Sequence, residues 1–537
     1  MTRPLLLVGS LVLFVAWLLP ATPQSFDLVI RNGRVVDGTG ATWFRADVAV
    51  RGDTIARVAR SIDDQAARVI DAAGAIVAPG FIDVHTHARR GIETTPTADN
   101  YVRQGVTTVF EGPDGSSPVP LGPFLAKLDA LPKSLNLGSF IGQGSIRSQV
   151  IGSENRPATA GEIEKMRALV EQGMLDGAFG LSTGLFYVPG TFTPTSEVIE
   201  LAKVAARHGG IHTSHQRDDA ARLLDSVRET IAIGEGGGLP TQITHHKVIG
   251  KAHWGRSADA LALVDDARAR GVDVTSDQYP YTASSTSITS ALLPAWALEG
   301  GRGAQRERFA DPVQREKILA GIVATIRDER GGGDPKNVQF ANCGFDQTLN
   351  GRTLADATTR RGLTPTLEHA AETTLWIVEQ GGCQGIFHAM SEDDVVRIMQ
   401  HPATMIASDG EVPRFGRGNP HPRSYGTFAR VLGVYVREKR VLTLEDAVRK
   451  MTSLPAARVG LPDRGVLRPG MKADIAVFDP DRVRDLATFQ APHQYAEGFL
   501  AVIVNGAVIF ENGAMTSARP GRVLFGPAAR PTPRQRP

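Results

Sequence analysis

The chain has 537 residues, more than one ordinary domain needs, although a (β/α)8 barrel alone can take over ~200. Hydrophobic residues make up 42% and charged residues 22%, which supplies a large core and excludes wholesale disorder. The net charge is +2 with no basic arm or stripe, which argues against a nucleic-acid partner.

In chain order, Arg3 precedes an apolar run, Leu5 to Leu19, that ends in Pro20-Ala21-Thr22-Pro23-Gln24-Ser25. A basic start, a short apolar stretch and then small or polar residues predict a cleaved signal peptide over 1–24 and a secreted or periplasmic protein. The run is shorter than the ~20 residues a membrane span needs, so an uncleaved anchor is the weaker reading. Residues 26–77 read as short strands with tight turns. Asp27–Ile30 leads to Asn32-Gly33, a hairpin signal, and Asp47–Val50 leads to Gly52-Asp53. The same grammar returns over 460–526, in Ala473–Phe478 and around Asn505-Gly506. A small β-sandwich domain built from both chain ends is therefore expected, with 527–537 as a disordered tail.

The middle, 78–459, alternates strand-like and helix-like runs. Strands are predicted near Val77–Val84, Thr107–Phe110, Leu137–Ile141, Ala178–Leu181, Gly210–Thr213, Thr241–Thr244, Val272–Thr275 and Thr404–Ala407. Eight such runs with intervening helices predict an α/β fold, a (β/α)8 TIM-like barrel, with an insertion of about 283–400 between its last two strands. Cys343 and Cys383 lie in that insertion and cannot make a cysteine zinc site alone. The sequence leaves a disulfide and two separate thiols equally open.

Barrel sites sit at the C-terminal strand ends. The first strand ends in His85-Thr86-His87, whose two imidazoles share one face by strand alternation. The fifth ends in His215, the sixth in His245-His246, and the eighth in Ser408-Asp409-Gly410. A single histidine is usually a packed core or surface residue. Imidazoles on three strand ends with a carboxylate on a fourth instead suit a divalent transition metal, zinc by default. His212 and His246 should face the other way and serve structure.

Gly80–His87 resembles the entry motif of the amidohydrolase superfamily. Gly180–Gly190, Thr213–Arg217, Thr244–Lys247, Trp254–Ser257, Asp277–Tyr281 and His421–Gly426 narrow the resemblance to the D-aminoacylase (N-acyl-D-amino-acid deacylase) branch. That resemblance implies hydrolysis of the amide of N-acyl-D-amino acids. It also implies that His215, His245 and a second-strand residue hold the main Zn2+, with His85, His87 and Asp409 around a second, weaker position. The family's second-strand turn carries a metal-binding cysteine in Gly-Asn-Cys-Gly. This chain has Gly112-Pro113-Asp114-Gly115, so Asp114 stands in its place, with Glu111 as the rival ligand and a plain Asp-Gly turn as the alternative. Hydantoinase-like relatives need a lysine near the fourth strand, and 177–190 contains none.

Zinc lowers the pKa of bound water toward ~7, so the expected chemistry is attack of metal-bound hydroxide on the acyl carbonyl. Asp409 is the expected general base and then acid. The expected partner is a small molecule, with no membrane contact after signal cleavage. Its carboxylate would be read by Lys247 or Arg423, with Tyr279, Ser285 and Tyr187 alongside. Arg423 is expected on the loop leaving the eighth strand. The competing readings are a dipeptidase or cyclic-amide hydrolase on the same scaffold, and a catalytically silent binding protein. The last should have lost strand-end ligands, yet His85, His87, His215, His245 and Asp409 are all present.

Overall fold

A computed structural model describes residues 25–529; the expected signal peptide, 1–24, and residues 530–537 of the expected tail lie outside the described residues. Both chain ends enter one nine-stranded sheet, in which Ile76–Pro79 pairs with Phe26–Val35 on one side and with Ile475–Phe478 on the other. Leu28, Ile30, Val48 and Val50 point into an apolar cluster completed from the other chain end by Ile475, Val477, Ala501 and Ile503. Val29 and Ala49 face the opposite way, toward Phe26 and Ile62, as period-2 alternation requires. The sheet thus folds around its own cluster as a β-sandwich.

Asn32-Gly33 is not the expected hairpin turn. Phe26–Val35 is one strand with a bulge, where the pairing to Phe44–Arg51 shifts between Ile30 and Gly33 and Asn32 takes φ 58°. A Cβ at Gly33 would lie 2.6 Å from the Val77 side chain, so only glycine fits. The Gly52-Asp53 and Asn505-Gly506 turns do join antiparallel neighbours.

The barrel strands are Phe81–Asp83, Val106–Glu111, Asn136–Ser139 with Ile141–Gly142, Gly180–Gly184, Ile211–His215, Thr241–Ile243, Val274–Gln278 and Thr404–Ile406. All neighbours pair in parallel, and Gly410↔Thr86 pairing closes the ring between the eighth strand and the first. The run Val77–Val84 is two strands. Ile76–Pro79 belongs to the sandwich, and the chain turns into the barrel at Gly80, where a Cβ would meet Thr107.

The insertion is shorter than expected at its far end. Helix Glu392–Gln400 packs on barrel helix Ser257–Ala269 and on the eighth strand, because Val395 and Met399 are its apolar stripe and join the barrel's core. What remains has its own core, including Ile322, Ile326, Phe340 and Leu375, beside a three-stranded antiparallel sheet of Ser284–Ser287, Cys383–Phe387 and Val338–Cys343. In that sheet Cys343 and Cys383 are directly opposite and form a disulfide.

The C-terminal segment also departs from expectation. After Met515 it leaves the sandwich and runs along the barrel, with Leu137 N donating to Arg522 O at 2.9 Å and Leu524 N to Leu137 O at 2.8 Å. Residues 527–529 are placed rather than part of a tail: Ala528 packs on the barrel's core and Ala529 N donates to Gly526 O.

Candidate metal centre and substrate cavity

The first strand is tied to the eighth by a carboxylate. Asp83 accepts hydrogen bonds from His85 N (3.2 Å) and Ser408 N (3.0 Å), and Asp409 N donates to His85 O at 2.9 Å. Burial pushes the Asp83 carboxyl up to about 7 despite these bonds. The second-strand turn is pinned by Ser182, whose hydroxyl donates to Gly112 O (2.6 Å) and accepts from Gly115 N (3.2 Å). A Cβ at Gly115 would meet Gly184 N at 2.7 Å, so glycine there lets the turn sit against the fourth strand.

These supports converge Asp114 with the histidines. Its Oδ1 lies 3.5 Å from His85 Nε2, 3.6 Å from His215 Nδ1 and 3.5 Å from His245 Nε2, while Oδ2 is 3.4 Å from His87 Nε2. Asp409 Oδ1 is 3.5 Å from His85 Nε2 and 3.1 Å from His87 Nε2. Two groups result, each with ligand atoms within 4.8 Å of one another: His85, His87, Asp114 and Asp409; and Asp114, His215 and His245. Asp114 belongs to both. Glu111 belongs to neither; it accepts from Ser139 Oγ at 3.3 Å and faces Arg89 at 3.5 Å. Asp114, His245 and Asp409 have φ of 56°, 36° and 50°, a left-handed conformation that non-glycine residues hold only where the surroundings enforce it.

The donor set suits a divalent cation. His85 Nε2, Asp114 Oδ1 and Asp409 Oδ1 are buried with no hydrogen-bond partner among the described residues, and His215 Nδ1 and His245 Nε2 face each other at 2.7 Å beside Asp114. Burial opposes a charge on His85, yet Asp114, Asp277 and Asp409 together hold its pKa well above the ordinary value. Burial would raise the Asp114 carboxyl, but His85 and His245 hold it well below the usual range. Burial and His245 push His215 down to about 4, so it stays a neutral imidazole with a lone pair to offer. Nitrogen and carboxylate donors of this kind are what zinc takes.

All five expected substrate residues, Tyr187, Lys247, Tyr279, Ser285 and Arg423, line one cavity of ≈ 610 Å³ together with His87, Asp114, His215, His245 and Asp409. Both cations are already engaged. Lys247, 3% exposed, is 3.0 Å from Asp219 Oδ2 and 2.6 Å from His245 Nδ1. Arg423 opens helix Arg423–Arg430 rather than riding a loop. Its Nη1 is 2.8 Å from Asp409 Oδ2, Nη2 donates to Ser285 O at 3.3 Å, and the guanidinium lies 4.8 Å from the Tyr279 ring centre. Tyr187 reaches across to the insertion, its hydroxyl 3.0 Å from Thr286 Oγ1. His212 bonds to Thr183 and Thr241 away from the cavity, and burial lowers it to about 3, in keeping with a structural role. His388 packs on Phe489.

Asp277 was read from the sequence only as part of the Asp277–Tyr281 motif, without a role of its own. It accepts from the His245 backbone N at 2.8 Å and from Gln242 Nε2 at 2.6 Å, and its Oδ1 is 3.5 Å from His85 Nδ1, so it holds the His245 backbone and faces the His85 ring. Asp83, inside the Gly80–His87 motif, also had no role assigned, although its spacing of two from His85 puts it on the same strand face.

The same fold occurs in proteins of known activity. A model of the amidohydrolase family matches residues 68–510. D-aminoacylase of Alcaligenes xylosoxydans xylosoxydans is 36% identical over 94% of this chain and 99% of its own length. N-acyl-D-glutamate deacylase of the same organism is 37% identical over 93% of this chain and 97% of its own length. The chain belongs to the amidohydrolase family, on its D-aminoacylase branch. Among solved structures it is similar to N-acyl-D-glutamate deacylase from Bordetella bronchiseptica, complexed with zinc and a phosphonate mimic of the tetrahedral intermediate. That likeness has a TM-score of 0.81 at 36% identity and covers 94% of this chain and 100% of the other.

Proposed function

We propose that this protein is a zinc-dependent hydrolase of the amide bond of N-acyl-D-amino acids. The observation that carries the reading is the convergence of His85, His87, Asp114, His215, His245 and Asp409 at one end of the cavity, in a chain alignable to D-aminoacylase over nearly its whole length. The D preference rests on those relatives.

In this reading His215, His245 and Asp114 hold the tight zinc, and His85, His87 and Asp409 frame a weaker second position. Zinc supplies Lewis acidity there, activating water and polarising the acyl carbonyl. Asp409 divides its carboxylate between two tasks. Oδ2 is fixed by Arg423, and Oδ1, which faces the ring nitrogens of His85 and His87, takes a proton from the attacking water and returns it to the leaving nitrogen. Without that proton an amine is a poor leaving group. Asp83 and Asp277 fix the backbone that carries His85 and His245, and Asp277 also faces the His85 ring.

The test is a screen of N-acetyl amino acids of both hands against zinc-loaded protein. Turnover confined to the D series is expected; a silent D series would sink the proposal. Elemental analysis should find one or two zinc ions per chain, and chelation should remove activity. Metal-free protein with activity insensitive to chelators would rule the mechanism out. Asp114→Ala should lose zinc while Glu111→Ala keeps it, since Asp114 alone of the two touches both ligand groups. The reverse pattern would assign the ligand to Glu111.

We further propose export from the cytoplasm. The signal-like start supports it, as does the Cys343–Cys383 disulfide, a bond that persists in oxidising compartments. No helix among the described residues is long and apolar enough to cross a membrane.

A further inference from the structure

The insertion supplies one wall of the cavity. Strand Ser284–Ser287 contributes all of its residues to the lining, and strand Cys383–Phe387 adds Gln384. Ser284–Ser287 is an edge strand whose one ladder is to Cys383–Phe387, with Ser287 opposite Gln384 and Ser284 opposite Phe387. The same wall reaches the reacting groups. Ser285 Oγ donates to Gly385 O at 2.9 Å, while Ser285 O accepts from Arg423 Nη2 at 3.3 Å. Where Ser284–Ser287 stands is therefore set by where Cys383–Phe387 stands.

Cys383–Phe387 is held on its other side by Val338–Cys343, and that ladder is interrupted. Phe340 pairs with Gly385, but the next pair is Asn342 with Gln384, so Ala341 is bulged out. The Ala341 carbonyl accepts instead from Asn419 N at 2.7 Å, outside the sheet. Just before Cys383 the chain turns through Gly381 and Gly382, at φ 111° and 77°, with no side chain to pack. The strand end that carries Gln384 thus has a broken ladder beside it and a two-glycine turn behind it. The disulfide closes it, because Cys343 and Cys383 are the last pair, one residue beyond Asn342 and Gln384. Cys343 is fixed from its own side by its N–H to Asn350 Oδ1 at 2.8 Å. These are the chain's only cysteines, and the metal donors are nitrogen and oxygen, so a thiol reductant has one point of attack.

We propose that the Cys343–Cys383 disulfide is a positioning element for the substrate: it holds Gln384 and Ser284–Ser287 in the cavity wall, so that substrate affinity follows its redox state while the chemistry at the metal ligands does not. This rests on the deacylase reading. Reduction by a dithiol is a two-electron exchange. A thiolate of the reductant attacks one sulfur, and its second thiol resolves the mixed disulfide. The protein gains two electrons and two protons as a pair of thiols, and the reductant leaves as its own disulfide.

The test uses zinc-loaded protein reduced with dithiothreitol, freed of reductant without air, its thiols counted, and part of it then reoxidised. The double variant Cys343→Ala with Cys383→Ala gives the unlinked wall without any reductant. In both, KM for N-acetyl-D-amino acids is expected to rise about 3- to 10-fold, with kcat changed less than about twofold, as for a small misplacement of a substrate-positioning group. Zinc content should not change. Reoxidation should restore KM in wild type and do nothing to the double variant. Amide hydrogen exchange over Ser284–Ser287 should speed up on reduction while that of barrel strand Ile211–His215 does not. An unchanged KM with both thiols free, or unchanged exchange, would overturn the proposal and leave the bond as a staple of the insertion, even if the melting temperature falls. A loss confined to kcat, or loss of zinc, would overturn it too, since the bond would then act on the metal ligands. Protein that hydrolyses no N-acyl-D-amino acid, yet shows the exchange change, would defeat the deacylase reading and uphold the positioning of the wall.

Discussion

Asp409→Asn is expected to lower turnover of N-acyl-D-amino acids by about 10²–10⁴-fold with the fold intact. Asparagine is the informative replacement because Asp409 holds φ 50°, a region asparagine tolerates better than most residues. The backbone bond from Asp409 N to His85 O survives the change, so the junction of the eighth strand with the first is kept. What disappears is a carboxylate that can hold a proton between the water and the leaving nitrogen, since an amide cannot carry it. Arg423 would also lose its anionic partner at 2.8 Å. Melting temperature and zinc content must therefore be read beside the kinetics. A loss below tenfold, with zinc retained, would place the proton transfer on another group.

The barrel was legible because its strands are short apolar runs separated by helical periodicity, and the ligands were legible because strand alternation fixes which residues share a face. His85 with His87 and His215 follow from those two rules, while His245 and Asp409 were placed by lying just past the strand ends Ile243 and Ile406, where left-handed backbone turns them inward. Asp114 was harder. It lies in a turn, where alternation says nothing, and only the resemblance put it forward; the pinning of Gly112 and Gly115 by Ser182 needs the fourth strand beside it. Asp277 escaped because the seventh strand was expected to end at Thr275 and runs instead to Gln278. Asn32-Gly33 carried a sound turn signal that lost to tertiary pairing, since Phe44–Arg51 on one side and Ala66–Asp71 with Ile76–Pro79 on the other hold Phe26–Val35 extended through the bulge. Arg330, a buried residue that lines the cavity from the insertion, had no local signal at all. It reaches the cavity only because the insertion's own sheet and helices fold back over the barrel mouth, and nothing in residues 283–400 read singly shows that return.

Arg423→Met is expected to lower kcat/KM for N-acyl-D-amino acids about 10- to 100-fold or more, the loss of a charge-assisted hydrogen bond being ~1.5–3 kcal/mol. The sequence alone suggested a free cation over the mouth that reads the α-carboxylate. The structure gives the same guanidinium a second duty, because it grips Asp409 Oδ2 at 2.8 Å while stacked on Tyr279. The two duties separate by substrate. Reading a carboxylate affects acids only and should appear chiefly in KM, whereas holding the proton-carrying carboxylate in place affects every substrate and should appear in kcat. A carboxamide analogue of the same N-acyl amino acid isolates the second component. The acid should therefore suffer more than the carboxamide, with the excess in KM and a shared fall in kcat. Arg423→Lys should preserve charge beside Asp409 but not the planar fork, so it should restore more of kcat than of KM. Equal losses on acid and carboxamide, confined to kcat, would show that Arg423 serves Asp409 alone. Recognition of the α-carboxylate would then pass to Lys247, whose ammonium would have to exchange Asp219 for the substrate.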